Sequence, residues 1–230
     1  MTKKDLQKKC GGVFFFSSLV FTYVFFVLFS PSALQIFITE STWTRWRGFL
    51  GGTLLGLGLV KLLISGKTET LLHEIRHNVF SGFVGNKPKK IEVHDKGGSF
   101  EYEYTESTAK FNAFINLAPY YLPFFTFLTF PVWGCMLSIP SAIRAGILGA
   151  AYAADLRLNL QDIHPHQTDF IDLIGGFTVG VFYVIGFQLA FGLIILTWVS
   201  GDYAGVVKMI TNTFLWVFET VLPYFHVQSK

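Results

Sequence analysis

Residues 71–77 of the chain read Leu71-Leu72-His73-Glu74-Ile75-Arg76-His77. Positions i and i+4 of a helix lie one above the other on the same face, so His73 and His77 can bind one metal ion. Glu74 is turned by about 100° from His73 and can reach a water molecule on that metal as its base. This H-E-x-x-H spacing therefore predicts a helix that holds a zinc ion beside a general base.

The composition places this helix in an apolar chain. Of the 230 residues, 51% are hydrophobic and only 14% are charged. Soluble domains average about 25% charged residues, so the expected partner of this chain is the lipid bilayer. The net charge of +3 is small and scattered, which argues against a nucleic-acid partner. Cys10 and Cys135 lie far apart without a metal-ligand spacing, so neither is expected at a site.

Six apolar stretches are expected to cross the bilayer as helices. They span residues 12–38, 48–65, 111–135, 139–154, 170–200 and 206–225. The third stretch contains three prolines and is expected to be kinked or partly unwound. The sixth contains Lys208 and Glu219, so an interfacial amphipathic helix is its alternative. The predicted fold class is an all-α polytopic membrane protein with about six transmembrane helices.

Glycines mark both the second span and its end. The span contains four of them near the small-x-x-x-small spacing, which favours close contact with another membrane helix: Gly51, Gly52, Gly56 and Gly58. Gly66 follows the span and is expected to bend the chain or to let a second helix begin near residue 68. The stretch containing His73 and His77 would then lie at the polar edge of the membrane or dip into the bundle.

The distribution of lysine and arginine predicts the orientation. With the Lys-rich N-terminus inside, the outside set is the smaller one: Arg45, Arg47, Arg144 and Lys208. This positive-inside bias predicts an integral protein of the cell (inner) membrane with a cytoplasmic N-terminus. The His-Glu-His stretch follows the second span and the acidic stretch 155–169 follows the fourth. Both are therefore expected at the cytoplasmic face, where they can meet.

A β-hairpin is predicted directly after the His-Glu-His helix. Residues 91–94 and 99–104 alternate between apolar and polar side chains on both sides of an Asp-x-Gly-Gly turn at residues 95–98. The hairpin covers about residues 89–105 and is expected to be membrane-associated. We expect the whole chain, residues 1–230, to form a single domain with a core of about residues 48–175.

A catalytic zinc needs a third protein ligand and keeps its fourth position open. The candidates lie between residues 155 and 169: Asp155, Asn159, Asp162, His164, His166 and Asp169. Charged groups at membrane depth are costly, so a cluster of them there indicates a function. For any single residue, a solvated side chain in an interfacial loop is the alternative interpretation.

Four landmarks together carry a family resemblance: the His-Glu-His stretch, the strand pair after it, the sequence Ile115-Asn-Leu-Ala-Pro-Tyr-Tyr-Leu-Pro123, and Asn159-Leu with a downstream Asp. The chain resembles the site-2 protease family of intramembrane zinc metalloproteases, in particular its small, compact bacterial-like branch. In that family the third ligand is an Asp before a Gly, so the resemblance implies Asp169. Here Phe170 stands in place of the Gly and the spacing is longer, which leaves Asp162 as the alternative ligand.

The resemblance implies an intramembrane zinc metalloendopeptidase with one Zn²⁺ per chain and a transmembrane or membrane-anchored protein as its substrate. Glu74 is the expected general base, and the hairpin could hold an unwound substrate by pairing with its backbone. Asn116 and Asn159 are candidates for a hydrogen bond to the substrate or oxyanion, with helix packing as their alternative role. Two other functions stay open, a proteolytically inactive adaptor that binds membrane helices and a metal transporter.

Overall fold

The computed structural model of the chain describes residues 10–94 and 97–220. In chain order these residues form α1 (Val13–Glu40), α2 (Trp43–Leu63), α3 (Lys67–Phe83), β1 (Lys87–His94), β2 (Gly97–Glu103), α4 (Glu106–Ala109), α5 (Asn112–Tyr121), α6 (Phe124–Trp133), α7 (Ser141–Leu160), α8 (Thr168–Ile171) and α9 (Gly176–Thr220). The chain is therefore mostly helical, as predicted. Parts of three predictions lie outside the described residues: the N-terminal lysines, the first half of the hairpin turn at residues 95–96, and residues 221–225 of the sixth span.

Three of the described helices, α1, α2 and α9, are long and apolar enough to cross a membrane. Helices α5 and α6 meet at an angle of 75° and would form a fourth crossing if they act as one broken span. These long apolar helices are consistent with a membrane protein, but the predicted count of six spans is not confirmed. Helix α7 carries three charged residues, Arg144, Asp155 and Arg157, and α9 runs through two of the predicted spans.

The bend between α5 and α6 follows from the proline pattern. Pro123 has no backbone N–H and disfavours the helical conformation of the residue before it. Leu122 accordingly takes an extended conformation, and α6 starts at Phe124. This break is the kink that was predicted for the third apolar stretch.

Helix α9 folds back on itself at Asp202, which has φ 56° and ψ −152°. A Cβ atom on Gly205 would lie 2.3 Å from the carbonyl oxygen of Thr197, whereas these residues would be about 12 Å apart along a straight helix. The two arms, residues 176–201 and 203–220, therefore lie side by side. Arg45 fixes the turn by an ion pair of 2.9 Å with Asp202.

Helices α2 and α7 run parallel to each other in close contact. Gly48 meets the backbone of Ala142, and Gly56 meets that of Ala150, so both helices advance in the same direction. Their C-terminal ends consequently lie at the same end of the bundle. This places α3, which follows α2, next to the segment that follows α7.

Only some of the predicted glycines make this contact. A Cβ atom on Gly52 would lie 1.9 Å from the carbonyl oxygen of Gly146, and Gly56 meets α7 in a similar way. On Gly51 or Gly58, a Cβ atom would meet nothing within 4 Å in the described part of the chain, and both residues face away from α7. Of the four glycines predicted to contact another helix, Gly52 and Gly56 therefore do so.

The two strands form an antiparallel sheet, which is the predicted hairpin. Ile91 pairs with Phe100, and a register shift follows Pro88 because proline cannot donate to the ladder. The sheet packs against α3, where Gly98 lies directly on Glu74. This packing brings the hairpin over the predicted metal-binding helix.

Candidate metal centre

Helix α3 presents both histidines to the interior of the bundle. Gly66 has φ +56°, which lets the chain turn after α2 and begin α3 at Lys67. The rings of His73 and His77 lie one above the other, with their centroids 5.1 Å apart. The His73 and His77 side chains are 11% and 8% exposed, so both imidazoles lie in a largely enclosed site.

Asp169, in the short helix α8, supplies a third group from a distant part of the chain. Its Oδ2 atom lies 3.4 Å from Nε2 of His73 and 3.6 Å from Nε2 of His77. The candidate ligand atoms of the three residues all lie within 4.8 Å of one another. In a tetrahedral zinc site with bonds of about 2 Å, ligand atoms are roughly 3.3 Å apart. These residues therefore fit one zinc ion with small shifts of the side chains.

Neighbouring groups orient each of the three side chains. Nδ1 of His77 lies 2.6 Å from the carbonyl oxygen of Ile115. An N–H at that position donates to the carbonyl and leaves the lone pair of Nε2 free for a metal. Nδ1 of His73 lies 3.5 Å from Asp162, and the Tyr120 hydroxyl donates to Oδ2 of Asp169 over 2.8 Å. The arrangement is the usual second layer of contacts around a zinc site.

The structure separates the roles of the two aspartates that the sequence left open. Asp169 groups with the histidine pair, and Asp162 is not in that group. Asp162 instead contacts Nδ1 of His73, while Asp169 faces Nε2 of the same ring. With a side chain that is 42% exposed, Asp162 is placed to orient His73 from the cavity edge.

His73 and Asp169 shift the pKa of each other through charge and hydrogen bonding. Burial lowers the pKa of His73, but hydrogen bonds to Asp162 and Asp169 outweigh it and raise the pKa to about 9. Burial raises the pKa of Asp169, but the charge of His77 and the hydrogen bonds from both imidazoles hold it well below its ordinary value. The carboxylates of Asp162 and Asp169, which face the two nitrogens of the His73 ring, therefore favour positive charge in the site.

Glu74 lies beside the histidines in a cavity of about 540 Å³. Burial of the carboxyl group raises the pKa of Glu74 more than the nearby imidazoles lower it. A raised pKa suits a group that must accept a proton and release it again. The hairpin segment Gly97–Tyr102 lines the same cavity, and a Cβ atom on Gly98 would lie 2.8 Å from Oε1 of Glu74.

The two candidate asparagines have different surroundings. Asn116 lines the cavity and donates to the Cys10 thiol over 3.4 Å. Asn159 is 0% exposed and accepts a hydrogen bond of 2.5 Å from Arg76, so the structure does not bring it to the cavity. The surroundings of Asn159 correspond to its alternative role in helix packing.

Two residues around the site were missed by the sequence analysis, Tyr120 and Arg76. Arg76 is 2% exposed and lies between the two histidines in sequence, on another face of α3. Its guanidinium donates to Asp155 over 3.0 Å and to the carbonyl of Pro119 over 3.0 Å. A signal was present, because Asp155 and Asn159 are four residues apart and therefore lie on the same face of α7.

No family model, curated protein or solved structure matches the chain. The chemistry of the molecule must therefore be inferred from the geometry of its own site.

Proposed function

We propose that the chain is an intramembrane zinc metalloendopeptidase of the site-2 protease type, which cleaves peptide bonds of transmembrane or membrane-anchored proteins. The observation that carries the proposal is the convergence of His73, His77 and Asp169 beside Glu74 in one cavity. Two histidines, one carboxylate and a neighbouring Glu are the composition of a hydrolytic zinc site.

Each polar side chain has a defined task in this proposal. When bound, zinc would polarise the carbonyl group of a peptide bond and lower the pKa of a water molecule. Glu74 takes a proton from the attacking water and delivers it to the leaving nitrogen. Tyr120 and the carbonyl of Ile115 hold Asp169 and His77 in place. His73 and His77 lie in the largely buried part of the cavity, which limits the contact of this exchange with bulk solvent.

The membrane arrangement that we propose has six spans, formed by α1, α2, the bent pair α5–α6, α7 and the two arms of α9. The parallel contact of α2 with α7 supports it, because both helices then end at the side where the metal site lies. The excess of Lys and Arg in the predicted inside segments supports a cytoplasmic N-terminus and a metal site at the cytoplasmic face, and we propose the cell (inner) membrane as its location.

The substrate must be unwound before it is cut, because a helical peptide bond is hydrogen-bonded and poorly exposed. Strand β2 lines the cavity and offers a backbone that can pair with an extended segment. Asn116 lies in the same cavity and is available for a hydrogen bond to that segment.

The decisive experiment compares wild type with Glu74→Gln and with Glu106→Gln, an exposed residue of α4 that serves as the control. Purified proteins are analysed for zinc, and new peptide termini are identified by mass spectrometry in membranes that contain each variant. We expect one zinc per chain in all three and cleavage with wild type and Glu106→Gln only. Equal cleavage by Glu74→Gln would contradict the proposal.

Two other outcomes would favour the alternative functions. Stoichiometric zinc without cleavage of any membrane protein would indicate an inactive adaptor. Zinc flux across proteoliposomes that is lost in His73→Ala would indicate a transporter.

A further inference from the structure

A second cluster of polar side chains lies far from the metal centre, at the other end of α7. Arg144 belongs to the first turn of this helix and lies about 24 Å along the helix axis from Leu160, where the segment leading to Asp169 begins. Because α2 and α7 are parallel, the N-terminal ends of both helices lie at this end of the bundle. The cluster therefore takes no part in the proposed reaction.

Arg144 is buried, and no Asp or Glu of the described residues forms an ion pair with it. It is 8% exposed, and its guanidinium carbon lies 5.0 Å from the centre of the Trp133 ring. Its Nε and Nη1 atoms are buried and make no hydrogen bond within residues 10–94 and 97–220. A buried guanidinium is expected to be paired and hydrogen-bonded, since desolvation of an unpaired charge costs several kcal/mol.

Two neighbouring tryptophans add further donors. The indole Nε1 atoms of Trp133 and Trp198 are also buried and lack a hydrogen-bond partner in the described part of the chain. The two rings contact each other edge to face, with their centroids 5.8 Å apart. An indole can only donate, and a guanidinium can only donate. The cluster thus contains four buried donor nitrogen atoms that lack an acceptor among the described residues.

The N-terminus of α7 also favours a negatively charged ligand at this cluster. Pro140 precedes the helix, and no side chain caps its first turn. A helix N-terminus carries a partial positive charge and free N–H groups, and helical side chains lean toward that end. The guanidinium of Arg144 accordingly lies over the ring of Trp133, the last residue of α6. The combination favours an anion with several oxygen atoms.

We propose that Arg144, Trp133 and Trp198 bind a phosphate group, and that in the membrane this group belongs to a phospholipid head group. A phosphate carries negative charge and only acceptor oxygens, so it complements the charge of Arg144 and the excess of donors around it. Tryptophan is enriched at the level of the head groups on both sides of a membrane. This inference depends on the membrane embedding and is independent of the metal chemistry.

The first test uses the unmodified protein, purified in a neutral detergent. Its thermal unfolding and native mass are measured with phosphatidylglycerol, with diacylglycerol of the same acyl chains, and with inorganic phosphate. We expect phosphatidylglycerol alone to remain bound and to raise the unfolding temperature. A response to inorganic phosphate alone would overturn the lipid as the source of the phosphate. Equal effects of phosphatidylglycerol and diacylglycerol, or no effect of any ligand, would overturn the site itself.

The second test removes the guanidinium. Arg144→Gln is compared with Arg47→Gln, an exposed arginine near the start of α2 that loses the same charge. We expect Arg144→Gln to bind phosphatidylglycerol about tenfold more weakly or worse, because it loses charged hydrogen bonds, and Arg47→Gln to bind as wild type does. If both variants retained the lipid equally, Arg144 would not be part of a phosphate site. Should Arg144→Gln fail to fold, the ligand comparison on the unmodified protein still decides the proposal.

Discussion

Tyr120 connects the metal centre to the body of the protein at the level of a single residue. Its hydroxyl donates to Asp169, its ring packs against Phe170 with the centroids 4.6 Å apart, and it meets His73 edge to face. The carboxylate of Asp169 therefore has one oxygen held by the protein before any metal arrives. This preorganisation lowers the cost of assembling a site from two distant segments.

Replacing Tyr120 by Phe should weaken zinc binding by roughly tenfold to a hundredfold, because the ring stays and only the hydrogen bond to Asp169 is lost. Competition with a chelator of known affinity measures the change. Tyr121→Phe is the control, since the Tyr121 hydroxyl donates to the carbonyl of Phe114 and not to Asp169. Equal zinc affinity in Tyr120→Phe and wild type would show that Asp169 is positioned without the hydroxyl.

Cys10 gives a prediction on pH. Burial, followed by the charge of Asp172, raises the pKa of its thiol to about 12. Since the thiolate is the reactive form, an alkylating reagent should modify Cys10 slowly up to pH 10 in the folded protein and faster only as the pH approaches 12. In denaturant the thiol should react readily near pH 9. Mass spectrometry of the labelled peptides at each pH checks this, and rapid labelling of folded Cys10 at pH 8 would contradict it.

At the level of elements, the contact between α2 and α7 decides where the proposed catalytic groups meet. The two helices approach so closely that backbone touches backbone at Gly52 and Gly146. Only residues without a side chain allow this approach, which is the mode of packing that small residues permit between membrane helices. The contact therefore sets the position of α3 relative to α8 through the ends of α2 and α7.

Adjacent glycines of α2 provide a matched test of this contact. Gly52→Ala places a methyl group against the Gly146 carbonyl and should destabilise the protein by about 1–3 kcal/mol, as overpacking does. Gly51→Ala faces open space and should be neutral or slightly stabilising, because alanine favours the helix. Thermal unfolding in detergent distinguishes them. Similar stability of the two variants would mean that α2 and α7 are not in close contact.

At the level of the whole molecule, one buried ion pair joins four helices. Arg76 of α3 pairs with Asp155 of α7 and donates to the carbonyl of Pro119 in α5. The same Asp155 carboxylate accepts the backbone N–H groups of Phe125 and Thr126 at the start of α6. The break between α5 and α6, helix α3 and helix α7 therefore share one polar centre behind the candidate site.

Removing one partner of this pair should cost more than removing both. Arg76→Met leaves a buried carboxylate without its cation, and we expect a loss of about 3–5 kcal/mol. The double variant Arg76→Met with Asp155→Asn should be more stable than Arg76→Met, because no buried charge remains and the amide oxygen still accepts from α6. The unfolding temperatures of Arg76→Met, of Asp155→Asn and of the double variant together measure the coupling between the two side chains. Additive losses would contradict a direct interaction.

The local features of this protein were predictable from neighbouring residues. The helical spacing of His73 and His77, the alternating strands of the hairpin and the break at Pro123 each depend on backbone geometry within a few residues. The apolar stretches likewise indicate long helices, because apolar side chains are required wherever a helix faces lipid.

The remaining features arise only when distant segments pack together. The sequence predicts Asp169 as the third ligand with Asp162 as the alternative, and their different positions around His73 follow from the parallel packing of α7 on α2. Two ion pairs also join residues that are far apart in sequence. Arg76 pairs with Asp155, and Arg45 pairs with Asp202 at the turn of α9. The spacing of residues along the chain indicates which side chains share a helix face. The packing of the whole bundle determines which other segment that face contacts.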